Sequence, residues 1–150
     1  MSEPCKPLSV SLPGTWELLS RVDVTDAGTQ QIEPSLGKDP VALLIYDRAG
    51  HFAAQFMRRD RANVSATDSS GPGANNSRAI GGYDAYFGTY SVDDATNTVT
   101  QRLVGSLSAE NIGPVLTREM RVNRDELVIR LRTTVVGVPV TRTLTWRRVS

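Results

Sequence analysis

The sequence predicts an all-β protein, a closed antiparallel up-and-down β-barrel of about eight strands. Apolar and polar residues alternate with a period of two along most of the chain, and sustained helical periodicity is hard to find. Turn-type residues separate the strand-like runs, which indicates hairpin connections. Trp16 opens the first run and Arg148 closes the last, and their side chains can meet only if these two strands are neighbours.

Eight runs carry the strand pattern. They span residues 16–24, 41–46, 51–57, 83–92, 98–107, 116–122, 126–135 and 140–149. Asp47–Gly50 predicts a hairpin turn, because Gly50 tolerates a positive φ. Residues 25–40 hold two prolines and two glycines and predict a long, turn-rich connection. The Gly-, Ser- and Asn-rich stretch 68–77 predicts a mobile loop, either a lid or disordered.

Length and composition predict one domain at residues 12–150, preceded by a flexible N-terminal tail at residues 1–11. The net charge of +1 gives no field that would attract nucleic acid or a membrane. No apolar run approaches the roughly 18 residues of a membrane span, and the N-terminus lacks a signal-peptide pattern. The single Cys5 excludes an internal disulfide. We expect a cytoplasmic protein, with a homodimer left open.

Alternation assigns the inward faces if Trp16 points inward. The first strand would then contribute Trp16, Leu18, Ser20, Val22 and Val24, and send Arg21 and Asp23 outward. The interior is apolar, with Leu103 and Met120 among its members. Polar side chains interrupt it at Ser20, Gln55, Gln101, Arg118 and Arg142. Acidic residues are almost absent from these faces.

Arg118 and Arg142 are the most informative of the interior polar residues. Arginine is rarely fully buried unless it is paired, and an unpaired charge in an apolar interior is costly. Because few carboxylates face inward, one interpretation is that a ligand carboxylate, enolate or phenolate supplies the anion. The other is that both side chains lie at the rim of the barrel and extend to water.

Tyr86 and Tyr90 share a strand face with Gly88, which would leave space between two rings for a flat group. Their hydroxyls could donate to a ligand carbonyl or act as weak acids, or they could be satisfied locally within an aromatic cluster. His51 is the single histidine, and no metal-ligand cluster, nucleophile motif or phosphate loop occurs. We therefore expect no metal and no cofactor.

Trp16 and Arg148 predict the closed floor of the barrel. In the last strand Trp146 and Arg148 share a face and Arg147 points away, so Arg148 is the residue that reaches the Trp16 indole. A guanidinium on an indole stabilises by roughly 0.5–2 kcal/mol. Any chemistry then belongs at the other end.

Several motifs, in order, resemble the short bacterial and fungal lipocalin-like domain family over roughly residues 12–149. They are Gly14-Thr15-Trp16, Tyr46-Asp47-x-x-Gly50-x-Phe52, Gln55-Phe56-Met57-Arg58, Tyr86-Phe87-Gly88-Thr89-Tyr90, Gly105-Ser106-Leu107, Arg118 and Leu144-Thr145-Trp146. The resemblance implies a lipocalin-type (calycin-like) barrel with a central cavity, pocket positions at Tyr86, Tyr90 and Arg118, and a link to secondary metabolism. The chain departs from the family at Gln101-Arg102, where a histidine is expected, and at Ala109-Glu110-Asn111.

Three functions remain open from the sequence. The first is binding of a small hydrophobic molecule with an anionic or carbonyl group, oriented by Arg118, Tyr86 and Tyr90, with Gln55, Gln101, Leu103, Met120 and Arg142 around it. The second is a cofactor-free cyclase or isomerase acting on a polyketide-type intermediate, with Arg118 stabilising an oxyanion and a tyrosine donating a proton. The third is a barrel filled by its own side chains.

Overall fold

The computed structural model describes residues 6–63, 79–109 and 112–150. The described elements are α1 (Leu8–Ser11), β1 (Gly14–Thr25), β2 (Gln30–Gln31), β3 (Val41–Tyr46), β4 (His51–Met57), a 3₁₀ turn (Arg61–Asn63), β5 (Tyr83–Asp93), β6 (Thr98–Ser106), β7 (Val115–Asn123), β8 (Glu126–Val135) and β9 (Val138–Arg148). Cys5, the stretch 68–77 and the departure at Glu110-Asn111 lie outside the described residues.

The strands form one closed antiparallel barrel. Their order is β1-β3-β4-β5-β6-β7-β8-β9, and β9 pairs back onto β1. The predicted eight-stranded up-and-down barrel is therefore confirmed, and the predicted bounds of β3, β4 and β8 match the observed ones. Hairpins at residues 47–50, 94–97, 124–125 and 136–137 connect neighbours directly, with a positive φ at Gly50 and Gly137.

The floor of the barrel is closed by α1 and Trp16. Leu8, Leu12 and Trp16 are buried together, and the Trp16 indole donates to the Leu12 carbonyl oxygen at 3.0 Å. The Arg148 guanidinium stacks on the indole, 4.3 Å from the ring centroid, as the strand alternation predicts. The same guanidinium donates to the carbonyl oxygens of Ser11 and Pro13, so the first and last strands are tied together at this end.

A β-bulge at Leu19 reverses the face of β1. Leu18 pairs with Trp146 and Ser20 with Thr145, so Leu19 is an extra residue in the ladder. Trp16 points inward, but beyond the bulge Arg21 and Asp23 turn into the barrel. The predicted inward face Ser20-Val22-Val24 is therefore wrong, because a one-residue insertion moves every later side chain to the opposite side.

The inward faces of β6 to β9 agree with the prediction, whereas the predicted inward position of Gln55 in β4 is wrong. Phe52, Ala54 and Phe56 are the buried side of β4, which leaves Gln55 exposed on the outer surface. Gln55 was expected in the interior, and the period-two phase of its own strand excludes it. Gly88 also has another role than expected, since a Cβ there would lie 1.8 Å from the backbone oxygen of Arg102. It permits a close approach of β5 and β6 at a bulge, not space between rings.

The connection after β1 adds more to the interior than its turn signals indicate. β2 pairs with Asp23 and Val24 at the edge of β1, and Glu33 and Leu36 are buried beyond it. The segment expected to be a flexible tail likewise contains α1. The segment with α1 covers the floor of the barrel, and the connection after β1 covers the other end.

Candidate functional site

A cavity lies inside the barrel, between the floor and the opposite ends of the strands. Its volume is about 60 Å³, which is room for roughly four to six waters. Its apolar wall is broad and drawn from most of the strands. It consists of Leu36, Leu44, Phe56, Met120, Ile129, Leu131, Leu144 and Trp146.

Arg118 of β7 lines this cavity and is only 7% exposed. Its strand neighbours Leu116 and Met120 point the same way, because the three alternate with outward residues along β7. The guanidinium donates to the Thr117 carbonyl oxygen at 3.4 Å. Burial is the main cause that lowers the pKa of Arg118, while Tyr86 and Tyr46 act in the opposite direction. The side chain remains a cation at neutral pH.

Two tyrosine hydroxyls accompany Arg118. Tyr86 of β5 lines the cavity and packs its ring near Phe52 and Phe56, with centroids 6.0 and 6.3 Å away. Tyr46 of β3 also lines it and accepts a hydrogen bond from the Gln101 side-chain amide. Burial raises the pKa of both tyrosines well above the usual range. Both hydroxyls therefore stay protonated and can donate.

Arg142 reaches the cavity from β9 and already has an internal anion. Its Nε and Nη2 atoms donate to the two Asp23 carboxylate oxygens at 2.8 and 2.9 Å, in a buried bidentate pair. Arg21 beside it donates to Glu33 at 3.0 Å. The expectation that the inward faces hold almost no carboxylates is wrong, because the bulge in β1 brings Asp23 inside. Arg142 needs no ligand to balance its charge.

Asp84 is an acid on the cavity wall that alternation alone did not single out. It is 3% exposed and shares the inward face of β5 with Tyr86. Burial raises its pKa to about 7, a change that Arg21 and the Ala85 backbone N–H partly oppose. Its carboxyl group is therefore present in both protonation states near neutral pH.

The remaining predicted residues divide between the cavity and other places. Gln101 and Met120 line the cavity together with Arg118, Tyr86 and Arg142. Leu103 is buried in the core. Tyr90 lies toward the floor, where its ring meets Tyr46 edge-on and its hydroxyl donates to the Asp47 carbonyl oxygen. Gln55 accepts from Tyr83 on the outer surface.

Among the polar side chains of the cavity, sequence reasoning missed Arg21, Tyr46 and Asp84. For Arg21 a signal exists, since Leu18-Leu19 breaks the alternation of β1 as a bulge does. For Tyr46 the phase of β3 follows from Leu44, which is buried on the same side. Asp84 would follow from Tyr86 two residues later on the same strand.

The described part of the chain offers no group of three or more His, Cys, Asp and Glu side chains placed to hold a metal ion. Within the same residues, no helix has the length and apolar character needed to cross a membrane. The polar groups of the cavity are hydrogen-bond donors, ion pairs and one carboxyl group. Such a set can orient an organic molecule.

Comparison with known proteins agrees with this architecture. A search of the curated proteins finds no match. A family model described as a lipocalin-like domain matches residues 13–149, from the beginning of β1 to just beyond the end of β9. The match covers the whole barrel and every residue that lines its cavity. With its closed eight-stranded barrel and internal cavity, the chain belongs to the lipocalin-like domain family.

Proposed function

We propose that the protein binds a small, largely hydrophobic molecule with an anionic or carbonyl group inside the barrel. One observation carries the proposal: the interior retains a cavity with an apolar wall and a few polar side chains, the usual composition of a small-molecule site. An eight-stranded barrel is just wide enough for its side chains to fill it or to hold one small ligand.

Arg118 is the group that orients the acid or carbonyl of the ligand. Its side chain lines the cavity, is almost fully buried, and interacts electrostatically with Tyr86 and Tyr46. The Tyr86 hydroxyl adds a neutral donor to the same cavity. The size of the cavity favours a compact ligand over an extended polyketide.

The test compares benzoate with methyl benzoate, two single-ring probes that differ in charge. Arg118→Met should weaken benzoate binding by about tenfold to a hundredfold, as loss of a charge-assisted hydrogen bond does, and the ester by much less. Arg130→Met is the matched control, since it removes an exposed arginine from the outer face of β8. Titration calorimetry measures both constants. If Arg118→Met lowers the affinity for the acid and the ester equally, Arg118 does not bind the acid group.

A cofactor-free isomerase is the second candidate, and Asp84 favours it. A buried carboxyl group with a pKa of about 7, beside Tyr86 on the cavity wall, is suited to moving a proton at neutral pH. In such a step the carboxylate takes a proton from the carbon next to a ligand carbonyl and returns it to the γ-carbon, while Tyr86 donates a hydrogen bond to the enolate oxygen.

Conversion of cyclohex-3-enone to cyclohex-2-enone tests this isomerase proposal. Asp84→Asn should abolish turnover, and an unchanged rate would remove Asp84 from the reaction.

A further inference from the structure

Two residues of the cavity wall each hold a buried polar atom that has no hydrogen-bond partner within the described part of the chain. Asp84 Oδ1 and Trp146 Nε1 have no hydrogen-bond partner among the residues that the structure describes. Asp84 is 3% exposed and Trp146 is 1% exposed, so bulk water does not reach them. Buried polar atoms in native proteins are almost always hydrogen-bonded. Because both residues line the cavity, its contents can supply the missing partner.

Phe56 places the two atoms in one region of the cavity. It stands directly opposite Asp84 in the β4–β5 ladder, so the two side chains are neighbours on the inward face. Its ring meets the Trp146 ring edge-on, with the centroids 5.7 Å apart. Asp84 and Trp146 are therefore adjacent to the same aromatic ring.

The chemistry of the two atoms selects the kind of group that fits between them. An indole N–H can only donate, whereas a carboxylate oxygen can only accept. An ammonium group could donate to Asp84, but it cannot accept from Trp146 and would face the positive charge of Arg21. A carboxylate could accept from Trp146, but ionised Asp84 would repel it. A hydroxyl group both donates and accepts, so its chemistry matches an acceptor and a donor together.

The protonation of Asp84 is compatible with a hydroxyl partner in either state. Burial raises the pKa of this carboxyl group to about 7, and the charged groups that act on it are Arg21 and Glu33. When Asp84 is ionised, the hydroxyl donates to it. When Asp84 is protonated, the hydroxyl can accept from it instead.

We propose that Asp84 and Trp146 form a hydroxyl-binding subsite in the barrel cavity. The ligand then carries an alcohol or phenol in addition to the acid or carbonyl group that Arg118 orients. This subsite rests on the proposed function, because it requires that the cavity hold a small molecule.

The experiment measures how much a hydroxyl group improves binding. Benzoate is compared with 2-, 3- and 4-hydroxybenzoate, and phenol with benzene, in titrations of the wild-type protein. The best hydroxylated probe should bind about tenfold more tightly than its parent, as expected for a probe that satisfies two buried atoms. Trp146→Phe removes the N–H and keeps an aromatic ring, and it should reduce this ratio to about twofold or less.

Asp84→Leu should reduce the ratio in the same way, and Asp84→Ala, which also removes the acceptor oxygens, is the second variant if the leucine protein does not fold. Leu144→Val is the control, because it changes the cavity wall without removing a polar atom. A change in cavity shape affects the hydroxylated probe and its parent alike, so it cancels in the ratio of their affinities. The control should therefore leave the ratio as it is in the wild type.

The outcomes separate the subsite from the proposed function. If benzoate binds and a hydroxyl gives no advantage, a water satisfies the two atoms and the subsite is overturned while the proposed function stands. The same conclusion follows if the advantage survives both substitutions. If phenol binds with dependence on Trp146 and the benzoates do not, the subsite stands and the acid-binding proposal fails. If no probe binds, both are contradicted.

Discussion

Charged side chains inside an apolar barrel are stabilised here by specific partners. Arg142 and Asp23 form a bidentate pair with side-chain exposures of 6% and 3%, and Arg21 and Glu33 form a second pair with exposures of 4% and 6%. Burying such charges costs desolvation free energy that the pairing offsets. Each pair therefore stabilises the fold only when both partners are present, because the loss of one partner leaves the other as an unpaired buried charge.

The Arg142–Asp23 pair gives the first prediction at this scale. Arg142→Met should lower the free energy of unfolding by about 3–5 kcal/mol, because Asp23 would keep a buried charge without its partner. The double variant Asp23→Leu/Arg142→Met should recover most of that loss. Urea denaturation measures both, with Asp26→Asn as the control, since it breaks the exposed ion pair to Arg132 and should change little. A double variant as unstable as the single one would contradict the role of the pair.

Asp84 gives a prediction about pH. Its pKa stands at about 7 in the fold, raised by burial from an ordinary value of 3.8. Between these values the folded protein binds one proton more than the unfolded chain, so the free energy of unfolding falls as pH rises from about 4 to 7. The full change from this group is on the order of 4 kcal/mol.

Asp84→Asn removes that proton linkage. The variant should match the wild type near pH 4 and be more stable than it near pH 8, where wild-type Asp84 is a buried anion. Urea denaturation at a series of pH values measures the difference. Parallel pH profiles for the two proteins would show that Asp84 does not titrate in this way.

At the scale of strands, β1 shows what the sequence can and cannot predict. The continuous apolar run 41–46 and the strand patterns of 51–57 and 126–135 predict strands with the observed bounds, because these strands pair without interruption. In β1 the extra residue Leu19 changes the phase, and a prediction from uniform alternation places Arg21 and Asp23 on the wrong face. A local irregularity of one residue thus decides which charges the cavity holds.

Deletion of Leu19 tests its assignment as the extra residue in the ladder. Without it, a continuous β1 keeps Trp16, Arg21 and Asp23 on one inward face, so the Asp23–Arg142 pair is retained. The deletion should therefore cost well under the roughly 3–5 kcal/mol expected for loss of that pair. Leu19→Ala keeps the bulge and trims a side chain that is 47% exposed, so it should change stability by about 0.5 kcal/mol or less. A loss of about 3–5 kcal/mol for the deletion in urea would contradict this assignment.

The candidate site is only partly predictable for a related reason. Arg118, Tyr86, Gln101 and Met120 follow from the alternation of their own strands, and they line the cavity together. Asp84, Tyr46 and Trp146 lie on the same faces, but their role depends on which positions leave space, and that depends on packing across the barrel. The contacts Arg142–Asp23 and Arg21–Glu33 join distant parts of the chain, which no local pattern specifies.

At the scale of the whole molecule, the barrel combines a sealed floor with a cavity. α1, Leu12 and the Trp16–Arg148 stack close one end, while the polar side chains of the cavity lie farther along the strands. The strands place Arg118 of β7 and the pair Tyr86 and Asp84 of β5 on two walls of one space. This separation of a stabilising end from a polar interior is what makes the barrel suited to hold a small molecule.

The most direct test is the binding of benzoate to a protein whose cavity has been filled. Ile129 lies on the cavity wall and is 6% exposed. Ile129→Phe places a ring in the space, and Ile129→Leu is the volume-conserving control. With folding checked by circular dichroism, calorimetry should show benzoate binding weakened by about tenfold or more in the phenylalanine variant and unchanged in the control. Wild-type affinity in a folded Ile129→Phe protein would show that the ligand does not bind inside the barrel.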